Sequence, residues 1–326
     1  MLFSSLRIFI FSLVLSACAT AQDFSAYYKA YVDDFKMASS YTTHLIERDG
    51  FHLSAREFKP KDVGDSHSPP LILMHGFPDS QHLYDRLAPL LARHRRVITF
   101  DFLGWGESDK PAAHVYDVAS LRRDLRAVMS ALAPNKATLV VHDSSGQPGI
   151  DFALDNAGRV SELILLNTYY APSDRLIPPP AIKRFSTPGI MRDLLVWGSN
   201  NNDGRWQSGF MDQVGDFFVD DTVRDRYLPV LAHQAMSIRP AFFALNRVLP
   251  AEVAVRAKRV KELQKLKIPT KIIFGANDPY LNADVAREFN NYIQTSELYL
   301  VAGAGHYVQM DKPKAVAKLI LAPFGQ

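Results

Sequence analysis

The segment Leu139-Val140-Val141-His142-Asp143-Ser144-Ser145-Gly146-Gln147-Pro148-Gly149 changes character at one residue. An apolar, β-branched run stops at an acid, and small residues follow it. The run predicts a buried strand over 137–142, and the residues after it predict a helix over 147–156. A chain that passes directly from strand to helix strains the residue at the turn, so neighbours two positions away must be small. Three registers can be tested on that rule. Asp143 has Val141 two before it and Ser145 two after, then Gly146. Ser144 has the bulky His142 before it. Ser145 has Asp143 before and Gln147 after, the poorest fit. Strand length also favours Asp143, with Ser144 as the alternative. Val141 is larger than the turn would prefer. The choice matters chemically. An aspartate makes an alkyl ester with an electrophilic carbon, whereas a serine makes an acyl ester from an existing ester or amide. At a helix N-terminus, free N–H groups favour the ionised carboxylate that attack requires.

Outward from this point, strands and helices alternate. Two strands are expected over 42–47 and 51–58, with Asp49-Gly50 between them as a hairpin signal. They follow an aromatic, amphipathic lead-in over 22–41. Buried-strand runs recur at 71–74, 96–100, 163–166, 271–274 and 298–301. Leu121, Leu125, Val128 and Leu132 fall on one helical face, and helices are expected over 283–293 and 313–321. This rhythm builds a mostly parallel sheet covered on both faces. It breaks between Ala171 and Lys267. That stretch opens on Pro178-Pro179-Pro180, carries Asn200-Asn201-Asn202-Asp203-Gly204, and holds helix-like segments rich in large apolar residues. It reads as a helical insertion roofing the C-terminal edge of the sheet, where ligands bind in open α/β sheets. The expected organisation is core 22–170, cap 171–267 and core 268–326.

The chain of 326 residues can bury a large single core. An apolar fraction of 47% and a charged fraction of 22% are ordinary for a globular protein. The net charge of +3 carries no nucleic-acid signal, and the basic pieces at 93–96 and 122–123 read as solvated faces. Arg7 followed by the apolar run 8–15 and small residues reads as an export signal over 1–21, too short to span a bilayer comfortably. Two processing sites compete within it. Ala19-Thr20-Ala21 fits a signal-peptide cleavage site ahead of Gln22. Leu15-Ser16-Ala17-Cys18 resembles a bacterial lipobox that would lipidate Cys18 and anchor the chain to a membrane, and it is slightly favoured. The expected location is the bacterial periplasm, free or as an anchored lipoprotein. Cys18 is the sole cysteine, so no intrachain disulfide can form.

Four further motifs surround the turn. His75-Gly76-Phe77-Pro78 follows the strand 71–74, and Asp101-Phe102-Leu103-Gly104-Trp105-Gly106-Glu107-Ser108-Asp109-Lys110-Pro111 follows the next. Gly275-Ala276-Asn277-Asp278-Pro279-Tyr280 and Ala302-Gly303-Ala304-Gly305-His306-Tyr307 follow the last two strands. With Val141-His142-Asp143 and Gly149-Ile150-Asp151-Phe152-Ala153, they resemble the α/β-hydrolase superfamily over nearly the whole of 22–326. Within it they are similar to the epoxide hydrolase and haloalkane dehalogenase branch. The Asp-Phe-Leu-Gly-x-Gly and Asn-Asn-Asp-Gly segments also resemble the mesoderm-specific transcript type.

The resemblance implies an α/β-hydrolase fold, an eight-stranded, mostly parallel sheet flanked by helices with an inserted cap. It implies Asp143 as nucleophile, Asp278 as the acid that orients the histidine, and His306 as base. Backbone N–H groups of Phe77 and Ser144 would form the oxyanion hole. His75 and the acids of the 101–111 loop are given structural roles. Some relatives place the acid after the strand that ends at Leu166, but Asn167 holds that slot and cannot serve. No metal or organic cofactor is required. The expected partner is a small apolar electrophile.

For the leaving group, epoxide hydrolases usually offer cap tyrosines. The candidates here are Tyr169, Tyr170, Tyr227 and His233, since phenylalanine (Phe243) stands where relatives often carry tyrosine. Haloalkane dehalogenases usually carry a tryptophan after the nucleophile, where this chain has Ser144. The readings are therefore an epoxide hydrolase-like enzyme, a haloalkane or haloacid dehalogenase or a Ser144-dependent esterase, and an exported binding protein without turnover. The complete triad argues against the last.

Overall fold

The computed structural model describes residues 20–60 and 68–325. The export signal and Cys18 therefore lie, apart from residues 20 and 21, outside the described residues. Eight strands form one sheet: β1 (Thr42–Arg48), β2 (Phe51–Phe58), β3 (Leu71–Met74), β4 (Val97–Phe100), β5 (Ala137–Asp143), β6 (Val160–Thr168), β7 (Thr270–Gly275) and β8 (Ser296–Val301). Their order is β1-β2-β4-β3-β5-β6-β7-β8. β2 runs antiparallel to both β1 and β4, and the other neighbours are parallel. Asp49 and Gly50 both have positive φ, 52° and 81°, as a two-residue hairpin turn of matching twist requires. β3, β4 and β7 are buried at every residue, because helices cover both faces of the parallel region.

The flanking helices are α1 (Ser25–Ala38), α2 (Ala88–Leu91), α3 (Val118–Leu132) and α4 (Gly146–Asp155) ahead of the cap. The Asp117 carboxylate caps α3 by accepting the Ser120 N–H, and its buried face carries Val118, Leu121, Leu125 and Val128. Between β6 and β7 the described elements are all helical: α5 (Pro180–Ser186), α6 (Ile190–Asn200), α7 (Asp203–Gly215), α8 (Asp221–Val255) and α9 (Val260–Leu263), with one 3₁₀ turn. α10 (Ala283–Tyr292), α11 (Val308–Asp311) and α12 (Pro313–Leu321) complete the core.

α8 spans 35 residues and contains Pro229, Pro240 and Pro250. Each proline removes a backbone hydrogen bond. The helix persists because one face buries Tyr227, Val230, Leu231, Ile238, Phe242 and Leu245, and tertiary packing outweighs intrinsic propensity.

Stacked rings and ion pairs seat the cap on the core. Phe77 stacks on Phe242 at 4.9 Å between ring centres. Arg256 and Arg259 reach the Asp151 carboxylate of α4 at 2.7 and 2.9 Å. α1 lies across the boundary: the Tyr28 hydroxyl bonds the core residue Glu107, and its ring stacks on His233 of α8 at 4.4 Å.

Candidate active site

Asp143 ends β5 with φ +49°, a conformation non-glycine residues seldom adopt. The Ser145 hydroxyl accepts the His142 N–H at 2.8 Å and lies 2.9 Å from the Met74 carbonyl, tying the turn to β3. Two glycines make the close approach possible. A Cβ on Gly76 would stand 2.5 Å from the Asp143 Cβ. A Cβ on Gly149 would stand 2.4 Å from Val141 Cγ1. That second contact explains the oversized Val141: the room comes from the helix, not from the strand.

The Phe77 N–H donates to Asp143 Oδ1 at 2.9 Å, and the Ser144 N–H also reaches this carboxylate. The two donors expected of an oxyanion hole thus converge on the side chain they would serve. Asp143 Oδ2 lies 3.9 Å from His306 Nε2. On the other side of the ring, His306 Nδ1 is 2.8 Å from Asp278 Oδ2. Asp278 Oδ1 accepts the Tyr280 and Leu281 N–H groups at 2.8 and 3.1 Å. The structure therefore brings Asp143, Asp278 and His306 into one line from three loops at the C-terminal edge of the sheet.

Charges follow from this arrangement. Burial raises the Asp143 carboxyl above its ordinary range, although His306 and the two N–H donors pull it down. Burial thus outweighs the helix N-terminus on which an easily ionised carboxylate was expected. Burial also opposes charge on His306. The Asp278 charge and hydrogen bond, together with Asp143 and Asp79, more than offset it and raise the imidazole to about 9. Burial would raise Asp278, but the charge and hydrogen bond of His306, the Tyr280 N–H and Asn167 hold it below the usual carboxylate value.

A cavity of about 510 Å³ opens on Asp143 and His306. Its walls are mainly apolar, with Phe77, Leu176, Ile182, Phe217 and Leu281 among them. Of the four leaving-group candidates, Tyr169 lines it. Burial and the Asp143 charge hold this phenol well above 10, so it stays a proton donor.

The other three lie elsewhere. Tyr170 donates to Asp151 at 2.7 Å in the cap-anchoring ion cluster. Tyr227 is buried against Phe218 and Tyr307 and does not line the cavity. His233 is taken up by its stack on Tyr28. Their places in the sequence could not show that packing between elements turns them away.

Three residues near the site carried no such assignment. Asn167, with φ 25°, donates to Asp278 Oδ2 at 3.0 Å and accepts the Gly275 N–H at 2.8 Å. The slot that cannot supply the acid instead holds the acid in place. Phe217 of the cap lies 4.8 Å from the His306 ring. Asp79 is buried, accepts the Tyr307 hydroxyl at 3.0 Å, and is pushed up to about 7 by burial. Its position directly after His-Gly-Phe-Pro was the one available signal. His75 accepts the Phe102 N–H at 3.1 Å, away from the chemistry.

Comparison with known proteins agrees with this geometry. The chain is 26% identical over 268 residues to 2-hydroxy-6-oxo-2,4-heptadienoate hydrolase of Pseudomonas putida, covering 79% of this chain and 89% of that one. It is 28% identical over 291 residues to a haloalkane dehalogenase of Mycolicibacterium paratuberculosis, covering 83% and 90%. The solved structure of the epoxide hydrolase CorEH superposes with a TM-score of 0.64 at 22% identity, covering 86% of this chain and 98% of that one. A family model described as the alpha/beta hydrolase fold matches residues 69–313. Sheet order, elbow and sequence match converge: the chain belongs to the α/β-hydrolase fold family and is a hydrolase of that superfamily.

Proposed function

We propose that this chain is an exported hydrolase that opens a small apolar electrophile, an epoxide in the first instance, through an alkyl ester on Asp143. The observation that carries the reading is the left-handed φ at Asp143, with its Oδ1 held by the Phe77 N–H and its Oδ2 turned to His306. Oδ2 attacks the carbon, the carbon–oxygen bond of the epoxide breaks, and the departing oxygen takes a proton from Tyr169. A water then gives its proton to His306 Nε2 and attacks the Asp143 carbonyl carbon. The Phe77 and Ser144 N–H groups stabilise the oxyanion. Its collapse breaks the ester carbon–oxygen bond, the departing alkoxide takes the proton of the new Asp143 carboxyl to complete the diol, and the proton on His306 returns to the Tyr169 phenolate.

Electrostatics supports this order of events. In the resting state Asp143 helps to raise His306 to about 9. Esterification removes that negative charge, so the imidazole loses a partner that favours its proton. It becomes a better base just when the second step needs one.

Epoxide chemistry is favoured over halide release because Phe77 and Ser144 offer no aromatic N–H to a halide, while Tyr169 offers a phenol to an oxygen. Export is read from Arg7 and the apolar run 8–15.

A parallel assay tests the chemistry. Diol formation from epoxides, without halide release or ester cleavage, is expected. Ester cleavage that survives Asp143→Asn but not Ser144→Ala would overturn the proposal.

A further inference from the structure

We infer that the outer face of α6 is a docking surface for an anionic phospholipid bilayer, which lays the cap against the membrane. Five of the thirteen exposed large apolar side chains among the described residues fall within the eleven residues of α6. Ile190 is 75% exposed, Met191 66%, Leu194 56% and Trp197 67%. Ile190, Leu194 and Trp197 recur at helical spacing on one stripe, while Ser199 on the opposite side is buried, and Leu194 and Leu195 also border a cavity between α5 and α7. The usual orientation is thus reversed, with the apolar stripe outward. A contiguous patch of this kind marks an interaction surface, whereas single exposed apolar residues are ordinary.

Two observations choose a bilayer as its occupant. The first is charge. Lys183 and Arg184 on α5 and Arg205 on α7 are exposed beside α6, and no ion pair engages them among the described residues. Apolar residues with tryptophan, bordered by lysine and arginine, are the composition of a helix that lies in an anionic membrane interface.

The second is where the chain leaves the fold. The Gln22 N–H donates to Gln207 Oε1 at 2.7 Å, and the Gln22 carbonyl accepts Gln207 Nε2 at 2.8 Å. Gln22 is thereby held to α7, the helix packed beside α6, and the segment before it joins the fold at that point. That segment contains the apolar run 8–15 and Cys18, four residues before Gln22. An acyl group on Cys18 could lie no farther along the chain than roughly 14 Å from this clamp. A lipid anchor on Cys18 would therefore be tethered within that reach of the α7 side of the cap. α5 also walls the reaction cavity through Ile182 and Lys183, so a lipophilic substrate would enter from the bilayer side.

Trp105 and Trp206 are buried, which leaves Trp197 as the exposed indole among the three tryptophans. The chain from Gln22 onward retains every described helix and strand and carries no acyl chain. Mixed with vesicles of equal parts phosphatidylglycerol and phosphatidylcholine, it should show a blue shift of tryptophan emission and sediment with the vesicles. Ile190→Ser with Trp197→Ser should weaken sedimentation by about tenfold or more at unchanged melting temperature. Lys183→Gln with Arg184→Gln should weaken binding to the mixed vesicles and leave binding to pure phosphatidylcholine unchanged. Three results would overturn the proposal: no blue shift and no sedimentation, equal sedimentation of the Ile190/Trp197 variant, or a lipid-free dimer that this variant splits. None depends on the chemistry at Asp143.

Discussion

Two carboxylates, Asp143 and Asp79, are buried close enough to feel each other's charge, and the protein treats them differently. Asp143 has two N–H donors and a cationic neighbour. Asp79 has one hydroxyl donor on Oδ1, and its Oδ2 finds no hydrogen-bond partner among the described residues. Burial therefore raises Asp79 from an ordinary 3.8 to about 7. The folded state then holds this proton more tightly than the unfolded state. The group's contribution to stability is fully present below pH 3.8 and is lost as pH rises through 7. Asp79→Asn keeps an acceptor for Tyr307 and removes the titration. Between pH 5 and pH 8 the wild type should lose on the order of 2 kcal/mol relative to the variant, measured by urea unfolding at both values. An identical loss in both proteins would remove Asp79 as the cause.

At this scale the sequence showed the residues that sit in small-residue loops after strands. Asp143, Asp278 and His306 are of that kind, and the fold draws them together. Asp79 and Asn167 escaped, because their partners Tyr307 and Asp278 lie 228 and 111 residues away. No local pattern encodes such pairs.

The strands were readable because burial writes itself into apolar runs. All eight expected strands are present, within a few residues at their ends. The cap helices were not readable in the same detail. α8 runs through three prolines that would locally predict breaks, and only its packed face explains its length. Conversely, Val141 departs from the expected elbow because the size constraint belongs to the strand and α4 together. Gly149→Ala should therefore destabilise the protein by about 1–3 kcal/mol through overpacking. Adding Val141→Ala should restore part of that loss, since the two residues contact and their effects are not additive. Chemical denaturation of both singles and the double provides the cycle. Additive losses would mean that the helix relaxes elsewhere.

Across the whole molecule, β5, β7 and β8 deliver three side chains to one edge of the sheet, and the cap closes a largely apolar cavity above them. The sequence supported that architecture through alternation and motif order. It could not reveal which of Tyr169, Tyr170 and Tyr227 lines the cavity, since that depends on how the cap packs on the core. The central claim is that the residue at the elbow becomes covalently attached to substrate and that His306 is needed to free it. His306→Gln preserves the fold's volume and hydrogen-bonding capacity but removes the base. Incubated with an epoxide that the wild type turns over, this variant should accumulate an adduct of the substrate's mass, and fragmentation should place it on Asp143. An adduct on Ser144, or continued turnover by the variant with no adduct, would contradict the account.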